Sequence, residues 1–357
     1  MRRGLRLARW PLALALCLFA ASWPASPPRV PWSEGLRYSY APALTPMLGR
    51  GWDALGLSGR GVRVGVIDAG FAGWREDPML QGLQVERQVD FTRRPVGWMP
   101  PAGAGGRPND DLVQDVSDHG TRVLRALAGR SGDRVEGLAY GARFWLAKTD
   151  LPDSEGRADE ARSIAALRWL AAQGVDVINM SLGYAEFDEG EAYRREQLDG
   201  RSARISIALA EVLAAHPDLV VVLSAGNRGA RDWRYLGFPG DVAEAVTVGA
   251  VDPQTGRRWR TSGVGPPWLP APKPDVATWG TRGTSFTAPA VAGLVVCLRE
   301  AAPGLSRAEV LALLRGAGTQ AARPDREIGY GVVRSDALLE ALAARRAAPP
   351  ARNAASR

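Results

Sequence analysis

Short runs of β-branched and apolar residues recur along this chain, separated by stretches with helical periodicity. The first run, Val62–Ile67, has the composition of a strand that is buried on both faces. Four later runs share that composition: Phe144–Lys148, Val175–Met180, Leu219–Ser224 and Ala245–Val251. Strands that alternate with helices favour a parallel sheet with helices packed on both of its faces. The pattern therefore predicts an α/β fold of three layers, with a doubly wound, mostly parallel sheet in the middle.

Helical periodicity fills several of the intervals between these runs. In one interval the apolar residues recur at positions i, i+3, i+4 and i+7 and so share one face: Ile205, Ala208, Leu209 and Val212. That helix is expected to end before Pro217, with His216 as its C-terminal cap. Ser306 and Glu309 form a capping box, which predicts the start of another helix. A further apolar helix is predicted to follow Ser285.

Composition divides the chain of 357 residues into four predicted segments. Residues 1–22 begin with arginines and continue into the apolar run Leu12–Ala21, which is typical of a cleaved export signal and short for a membrane span. Residues 23–44 are rich in Pro and Ser and are predicted to be a leader or linker. Residues 45–342 form one folded domain, and the Ala-, Arg- and Pro-rich residues 343–357 form a disordered tail. We therefore expect an exported protein, either secreted or periplasmic.

The net charge of +7 does not indicate nucleic-acid binding, because the two ends of the chain supply it. Residues 1–26 hold four Arg and no acid, and residues 342–357 hold four more, so the residues between them carry a net charge of −1. A nucleic-acid-binding domain would show its basic residues in the folded part. Cleavage of the signal removes Cys17 and leaves Cys297, expected to be a core residue, without a disulfide partner. We expect a monomer with no nucleic-acid partner and no stable membrane span after cleavage.

Four polar residues stand where an α/β sheet collects its reactive groups, at the carboxyl ends of strands and the starts of helices. Asp68 directly follows the first run, and Asn227 follows the fourth. His119 precedes a predicted helix, and Ser285 stands at the entry to another. A serine hydroxyl needs a base to take its proton, the base needs a carboxylate to fix its tautomer, and a developing oxyanion needs fixed donors. These residue types therefore indicate nucleophilic catalysis.

The chain resembles the subtilisin-like serine peptidases in four blocks, which follow one another in that family's order: Val66-Ile-Asp68-Ala-Gly70, His119-Gly-Thr121, Ser224-Ala-Gly-Asn227 and Gly283-Thr-Ser285-Phe-Thr-Ala-Pro289. The segments Val175–Gly183 and Ile328–Gly331 are further matches. The resemblance spans about residues 50–342. It implies the fold predicted above and an exported serine endopeptidase that cleaves protein or peptide substrates through an acyl-enzyme.

The resemblance also implies a role for each matching residue. Ser285 would be the nucleophile, and His119 would be the general base and then the general acid. Asp68 would orient the base, and Asn227 would donate a hydrogen bond to the oxyanion. In the family, two strand ends pair with the substrate backbone and flank the specificity pocket, which makes five residues candidates for substrate contact: Ser181, Leu182, Gly183, Ala225 and Gly226.

Two more residues bear on specificity by the same resemblance. Gly237 falls where a small residue leaves the floor of the pocket open, which favours large apolar side chains before the cleaved bond. Arg228 at the rim would add a preference for acidic side chains. The chain also departs from the family pattern, because Ala69 stands where a Thr hydroxyl usually supports the carboxylate, and Arg122 stands where a second His is usual. Pro100–Pro108 has the composition of an inserted loop.

Other interpretations stay open at this point. The same fold without catalysis would make a silent peptide-binding module, and the Gly-rich turn after Ile67 suggests a nucleotide-binding protein, although no phosphate-binding Gly motif is present. Two acidic runs, Asp110–Asp118 and Asp188–Glu191, match no defined calcium loop and favour a solvated surface, with structural calcium as the alternative. We expect that no cofactor is required.

Overall fold

Strands and helices alternate along most of the chain. A computed structural model describes residues 52, 55–100, 110–112, 115–132, 134–151 and 155–347. The strands are β1 (Arg63–Asp68), β2 (Gln84–Asp90), β3 (Arg130–Ser131), β4 (Arg134–Val135), β5 (Arg143–Lys148), β6 (Val177–Met180), β7 (Val220–Ser224), β8 (Val246–Val251) and β9 (Val276–Trp279). The helices are α1 (His119–Ala128), α2 (Arg157–Ala172), α3 (Arg204–Ala215), α4 (Thr287–Ala301), α5 (Arg307–Gly316) and α6 (Ser335–Ala347).

Seven of these strands form one sheet, in the order β2-β5-β1-β6-β7-β8-β9. Every neighbouring pair in it is parallel, while β3 and β4 form a separate antiparallel pair. The five predicted runs became β1, β5, β6, β7 and β8, and each boundary lies within two residues of its predicted position. The predicted parallel sheet is therefore confirmed.

Two strands of the sheet were not predicted, and both lie at its edges. The first half of β2 alternates between exposed and half-buried residues, and only Gln88, Val89 and Asp90 are buried. An edge strand with one solvated side lacks the continuous apolar run that marks a buried strand. Four residues make up β9, and the prolines shortly before it obscure the short Val276–Trp279 run.

Helices cover both faces of the sheet, which confirms the predicted three layers. One apolar core lies between the sheet and the pair α1 and α4, and a second lies between the sheet and the pair α2 and α3. Helix α4 is buried from Thr287 to Arg299, and it contacts β6, β7, β8 and β9. Fully burying one Val or Leu side chain stabilises a fold by about 1.5–3 kcal/mol, so α4 is held firmly against the centre of the sheet.

The helix ends agree with the capping residues expected for them. Ser306 caps α5: its hydroxyl accepts from the Glu309 N–H at 3.3 Å, and the Glu309 carboxylate accepts from the Ser306 N–H at 2.8 Å. His216 is the C-cap of α3, and its N–H donates to the Val212 carbonyl at 3.0 Å. Helix α6 continues to Ala347, so the domain end placed at residue 342 falls inside a helix.

Several predicted segments lie outside the described residues: the export signal 1–22, the leader 23–44, nearly all of the inserted loop at 100–108 and residues 348–357 of the tail. Cys297 is fully buried in α4, as expected of a core residue. Among the helices of the described ranges, none is both long enough and apolar enough to cross a bilayer.

The winding of the sheet reverses at β1. The chain places β2 and β5 on one side of β1 and then, after α2, adds β6 to β9 on the other side. In doubly wound sheets, ligands bind at the carboxyl ends of the strands beside such a reversal. The carboxyl end of β1 is Asp68.

Candidate active site

Asp68 ends β1 with its side chain fully buried. Its Oδ1 accepts a hydrogen bond from the Ala69 N–H at 2.8 Å and lies 2.6 Å from the Nδ1 of His119. Its Oδ2 is buried and has no hydrogen-bond partner among the described residues. Among the described residues, the imidazole and one backbone amide are therefore the only partners of this carboxylate.

His119 is the first residue of α1, and backbone contacts fix that helix start beside the end of β1. The Gly120 N–H donates to the Gly70 carbonyl at 2.7 Å, and the Ala72 N–H donates to the Ser117 carbonyl at 2.8 Å. A Cβ at Gly120 would lie 2.5 Å from the Gly70 oxygen, so a side chain there would force the two segments apart. The glycine after His119 is therefore required for the Asp68–His119 contact.

The imidazole of His119 keeps one quarter of its surface exposed beside the buried carboxylate. Burial alone would lower the pKa of His119. The negative charge of Asp68 and the hydrogen bond to it act in the opposite direction and prevail, so the pKa of His119 is raised above its ordinary value. With Nδ1–H donated to Asp68, Nε2 is left as the proton acceptor of a neutral ring.

A buried ion pair supports the loop that leads into α1. Asp115 pairs with Lys148 at the end of β5, and both side chains are almost fully buried. Asp115 also accepts from the N–H groups of Phe71 and Val116, at 3.2 Å and 2.7 Å. The prediction of a solvated surface for this acidic run was therefore wrong at Asp115. Its carboxylate is buried because it forms an ion pair with Lys148, which lies outside the run.

Ser285 lies in the single turn Thr284–Phe286 that leads into α4. Its Oγ donates to the Ser181 carbonyl at 3.2 Å, and the Ser181 hydroxyl donates back to the Ser285 carbonyl at 2.9 Å. Although both residues are described, no hydrogen bond joins the Ser285 Oγ to His119. The next residue does pack against the base, since the ring of Phe286 lies 5.6 Å from the imidazole of His119.

Asn227 follows β7 on the exposed side of the site and faces the turn that carries Ser285. Its Oδ1 accepts from the N–H and the hydroxyl of Thr284, at 2.9 Å and 3.2 Å. Gly283 has φ = 112°, and a Cβ there would lie 3.3 Å from the amide of Asn227. The carbonyl oxygen is thus fixed by the turn, and the Nδ2 hydrogens remain available to a ligand beside Ser285.

The structure brings the six predicted substrate-contact residues together: Ser181, Leu182, Gly183, Ala225, Gly226 and Gly237. The first three continue the direction of β6, and the next two continue β7. Gly237 donates its N–H to the Ala225 carbonyl at 3.2 Å, and a Cβ on it would lie 3.3 Å from the Gly183 Cα. Larger residues at Gly183 or Gly237 would therefore fill the space between the two strand ends.

Arg228 is already neutralised within the chain. Its guanidinium contacts the carboxylate of Glu155 at 2.5 Å and that of Glu186 at 2.6 Å, and its side chain is mostly buried. The two carboxylates outnumber the one cation. The expected preference for acidic substrate side chains at this rim therefore finds no free positive charge at Arg228.

The buried Lys148–Asp115 pair was missed by the sequence interpretation, although lysine usage could have pointed to it. The chain has only two lysines, Lys148 and Lys273, among 45 basic residues. Each is buried in an ion pair with an aspartate, Asp115 or Asp275. In a chain whose basic residues are nearly all arginine, both lysines therefore mark buried ion pairs. Within the described ranges, no three His, Cys, Asp or Glu side chains converge as metal ligands would.

A model of the subtilase family matches residues 59–331 of the chain. A probable subtilase-type serine protease of Deinococcus radiodurans is 28% identical over 322 residues, which cover 82% of this chain and 42% of that protein. Subtilisin DY of Bacillus licheniformis is 27% identical over 268 residues, which cover 72% of this chain and 83% of that protein. The chain thus spans less than half the length of the first relative and most of the second.

Solved structures of proteases share the fold at lower identity. The CspB protease of Clostridium perfringens has a TM-score of 0.66 at 15% identity, over 84% of this chain and 99% of that one. The MycP3 protease of a type VII (ESX-3) secretion system has a TM-score of 0.61 at 23% identity, over 87% of this chain and 90% of that one. These similarities extend over the sheet and the helix layers described above.

Proposed function

Because the chain belongs to the subtilase family, we propose that it is an exported serine endopeptidase that cleaves protein or peptide substrates through a Ser-His-Asp triad and an acyl-enzyme. The relatives named above are serine proteases, so hydrolysis of peptide bonds is the activity to be expected of this fold and sequence. The triad consists of Ser285, His119 and Asp68, and Asn227 serves the oxyanion.

The proposed reaction begins when the Ser285 Oγ attacks the carbonyl carbon of the scissile bond and His119 Nε2 takes the hydroxyl proton. The C–N bond then breaks, His119 gives this proton to the leaving amine, and the acyl group stays on Oγ as an ester. A water attacks the ester, its proton passes to His119, and the carboxylic acid leaves as the proton returns to Oγ. Asp68 holds the imidazole tautomer throughout.

Two donors would stabilise the oxyanion that forms during each attack. One is the Nδ2 of Asn227, whose Oδ1 is held by Thr284 and whose hydrogens are free to donate. The other is the backbone N–H of Ser285, at the positive end of α4. The substrate would lie as an added strand between Ser181–Gly183 and Ala225–Gly226, with a large apolar side chain entering the space beside Gly237.

The observation that supports this proposal most strongly is the 2.6 Å contact between His119 Nδ1 and the buried Asp68, with the residue after Ser285 packed on the same imidazole. To complete the triad, the Ser285 hydroxyl must leave the Ser181 carbonyl and form a hydrogen bond with Nε2. An apo enzyme commonly forms this last hydrogen bond only when the substrate binds.

A fluorophosphonate probe tests the nucleophile, because an activated serine displaces its fluoride and forms a stable phosphonate ester. The purified protein should be labelled with one probe per chain, and Ser285→Ala should remove the label. Ser202→Ala is the matched control, since Ser202 is an exposed serine with an ordinary hydroxyl and should leave labelling unchanged. Labelling that persists in Ser285→Ala would identify another nucleophile.

A second candidate function is a silent peptide-binding module, which the contact between the Ser285 hydroxyl and the Ser181 carbonyl favours. It predicts that the folded protein binds peptides and that no probe labels Ser285 under any condition. The nucleophile test above therefore separates the two functions, provided that the unlabelled protein shows a cooperative thermal transition.

The remaining parts of the proposal concern the protein outside its site. We infer a signal at residues 1–22, a leader at 23–44, and a monomer that acts outside the cytoplasm without a cofactor or nucleic acid. A chain that begins at residue 40 should fold and label with the probe. Activity that is lost on treatment with a chelator and restored by Ca²⁺ would show instead that structural calcium is required.

A further inference from the structure

Four side chains form a ring of hydrogen bonds next to the proposed substrate strand. Thr149 Oγ1 donates to Asp150 Oδ1 at 2.7 Å, and Ser163 Oγ donates to Thr149 Oγ1 at 2.9 Å. The hydroxyl of Tyr184 lies 3.0 Å from Asp150 Oδ1, 3.3 Å from Asp150 Oδ2 and 2.9 Å from Ser163 Oγ. The three hydroxyl residues are almost completely buried, and Asp150 is half-buried.

The number of protons in this ring depends on the state of Asp150. A tyrosine has one hydroxyl proton, so Tyr184 cannot donate to Asp150 and Ser163 at once. If Asp150 is protonated, its O–H donates to Tyr184, Tyr184 donates to Ser163, Ser163 to Thr149 and Thr149 back to Asp150. Each of the four groups then donates once and accepts once. If Asp150 is ionised, Tyr184 turns its proton to the carboxylate and the contact with Ser163 loses its hydrogen bond.

The surroundings of Asp150 extend its protonated form from the acidic range up to about neutral pH. Burial of its carboxyl raises the pKa of Asp150 to about 7, even though the hydroxyl of Thr149 acts to lower it. The neighbouring carboxylates add to the rise: Asp159 of α2, which is paired with Arg162, and Asp68 of β1. The phenol of Tyr184 is the other titratable group that faces Asp150, and burial raises its pKa as well.

The ring joins three parts of the fold around the proposed substrate site. Thr149 and Asp150 follow β5, and Ser163 belongs to α2. Tyr184 directly follows the segment Ser181–Gly183, and its backbone exchanges two hydrogen bonds with Phe238, at 3.0 Å and 2.8 Å. A change at Tyr184 therefore acts on both Gly183 and Gly237, which face each other across the proposed pocket.

We propose that Asp150 is a positioning residue: as a neutral acid it closes this ring and holds Tyr184, and with it the substrate strand Ser181–Gly183, in the geometry that binds peptide. The inference rests on the proposed function, because it assigns a role to the strand that would pair with substrate. Ionisation of Asp150 opens the ring at Tyr184 and weakens peptide binding. Asp150 does not touch the reacting atoms and takes no part in the proton transfers.

Peptide binding to a chain that cannot turn over tests this role. In the Ser285→Ala background, the Kd of an uncharged, fluorophore-labelled peptide is measured by anisotropy from pH 5.5 to 8.5. We expect Kd to rise about 3- to 10-fold over this range, the scale of one net hydrogen bond. With Asp150→Asn added, Kd should stay near its low-pH value, because the amide can donate to Tyr184 and accept from Thr149 without titrating.

Two further variants serve as controls for the ring. Tyr184→Phe removes the hydroxyl and should raise Kd at every pH, with no remaining dependence on the state of Asp150. His119→Gln in the same background removes the imidazole of the proposed triad and should leave the pH dependence in place. Identical pH dependence with and without Asp150→Asn would overturn the inference.

A direct titration covers the case in which Asp150→Asn does not fold. The ¹³C carboxyl shift of Asp150 in the otherwise unchanged protein should titrate near pH 7 and not near 4. A midpoint near 4 overturns the inference and leaves the proposed function intact. Failure of the wild-type protein to label with the fluorophosphonate would instead count against the proposed function, whatever the titration shows.

Discussion

The two halves of the proposed triad are built differently. The base half joins the end of β1 to the start of α1: Asp68 and His119 are already in contact at 2.6 Å, and backbone hydrogen bonds hold the segments on either side. In the nucleophile half, the Ser285 hydroxyl points to the Ser181 carbonyl, and Asn227 is exposed to solvent. The base half thus has its hydrogen bond in place without substrate, whereas the nucleophile half lacks the hydrogen bond from Ser285 to His119.

This difference assigns separate tasks to the two halves. The protonation properties of the site are set by buried groups of the base half, where glycines allow close backbone approach and a buried Lys148–Asp115 pair supports the loop. The nucleophile half lies where the substrate is proposed to bind. A bound peptide can therefore displace the hydrogen bond between the Ser285 hydroxyl and the Ser181 carbonyl, which frees the hydroxyl to bond to His119. Variants in the base half should therefore change kcat and its pH dependence, and variants in the nucleophile half should change oxyanion stabilisation.

The largest effect is expected at the base half. Asp68→Asn should lower kcat by about 10⁴-fold, because the amide no longer fixes the tautomer that leaves Nε2 free to accept a proton. KM should change little, since Asp68 is buried and does not face the substrate. Steady-state hydrolysis of a chromogenic peptide measures both constants, and a loss of less than tenfold would contradict a triad role for Asp68.

A smaller effect is expected at the nucleophile half. Asn227→Ala should lower kcat by about 10²–10³-fold with little change in KM, because it removes one donor to the oxyanion. Fluorophosphonate labelling should slow but persist, since Ser285 and His119 are intact. The matched control is Arg228→Gln, which alters the adjacent ion pairs with Glu155 and Glu186 but no oxyanion donor. Equal losses of kcat in the two variants would contradict the role of Asn227.

The pH profile gives a third contrast between the halves. His119 must be neutral to accept a proton, and Asp68 raises the pKa of its imidazole. The plot of kcat/KM against pH should therefore rise to a plateau, with its midpoint above pH 6.5. Below the midpoint, activity should fall about tenfold per pH unit. Asn227→Ala should keep that midpoint while lowering the plateau. An acidic midpoint well below 6.5 would show that Asp68 does not govern the base.

The fold could be predicted because most strands of the sheet are buried on both faces. Such strands appear as continuous apolar runs, which is why β5 and β8 were found to within one residue at each end. The edge strand β2 was missed because half of its residues face solvent. The order of strands cannot be read from these runs, since it depends on which helix covers which face.

The site was predictable to the extent that its residues end or begin an element. Asp68 and Asn227 follow strands, and His119 and Ser285 lie at the starts of helical segments, so their local sequence places them at one edge. Asp115 had no such marker, because an acidic run has the composition of a surface. The Asp150 ring could not be predicted either, because its members come from three separate places: the segment after β5, helix α2 and the segment after β6.

The smallest expected effect concerns the one carboxylate oxygen that the base half leaves without a donor. Ala69→Thr restores the hydroxyl of the family pattern, which is expected to donate to the buried Asp68 Oδ2, an atom with no partner among the described residues. A hydrogen bond there favours the ionised carboxylate by itself and weakens its pull on the imidazole proton. The acidic midpoint of kcat/KM should therefore move to lower pH, by less than about 1 unit, with kcat at the plateau changed by less than threefold.

Ala69→Val is the control for this last effect, since valine has the shape of threonine without its hydroxyl. If the hydroxyl acts through Oδ2, only the threonine variant shifts the midpoint, and it also gains stability relative to the valine variant. Satisfying a buried acceptor stabilises a fold by about 1–3 kcal/mol, which thermal unfolding of the two variants at pH 7 can resolve. If kcat/KM has the same acidic midpoint in both variants, the lack of a donor to Asp68 Oδ2 has no effect on the pKa of His119.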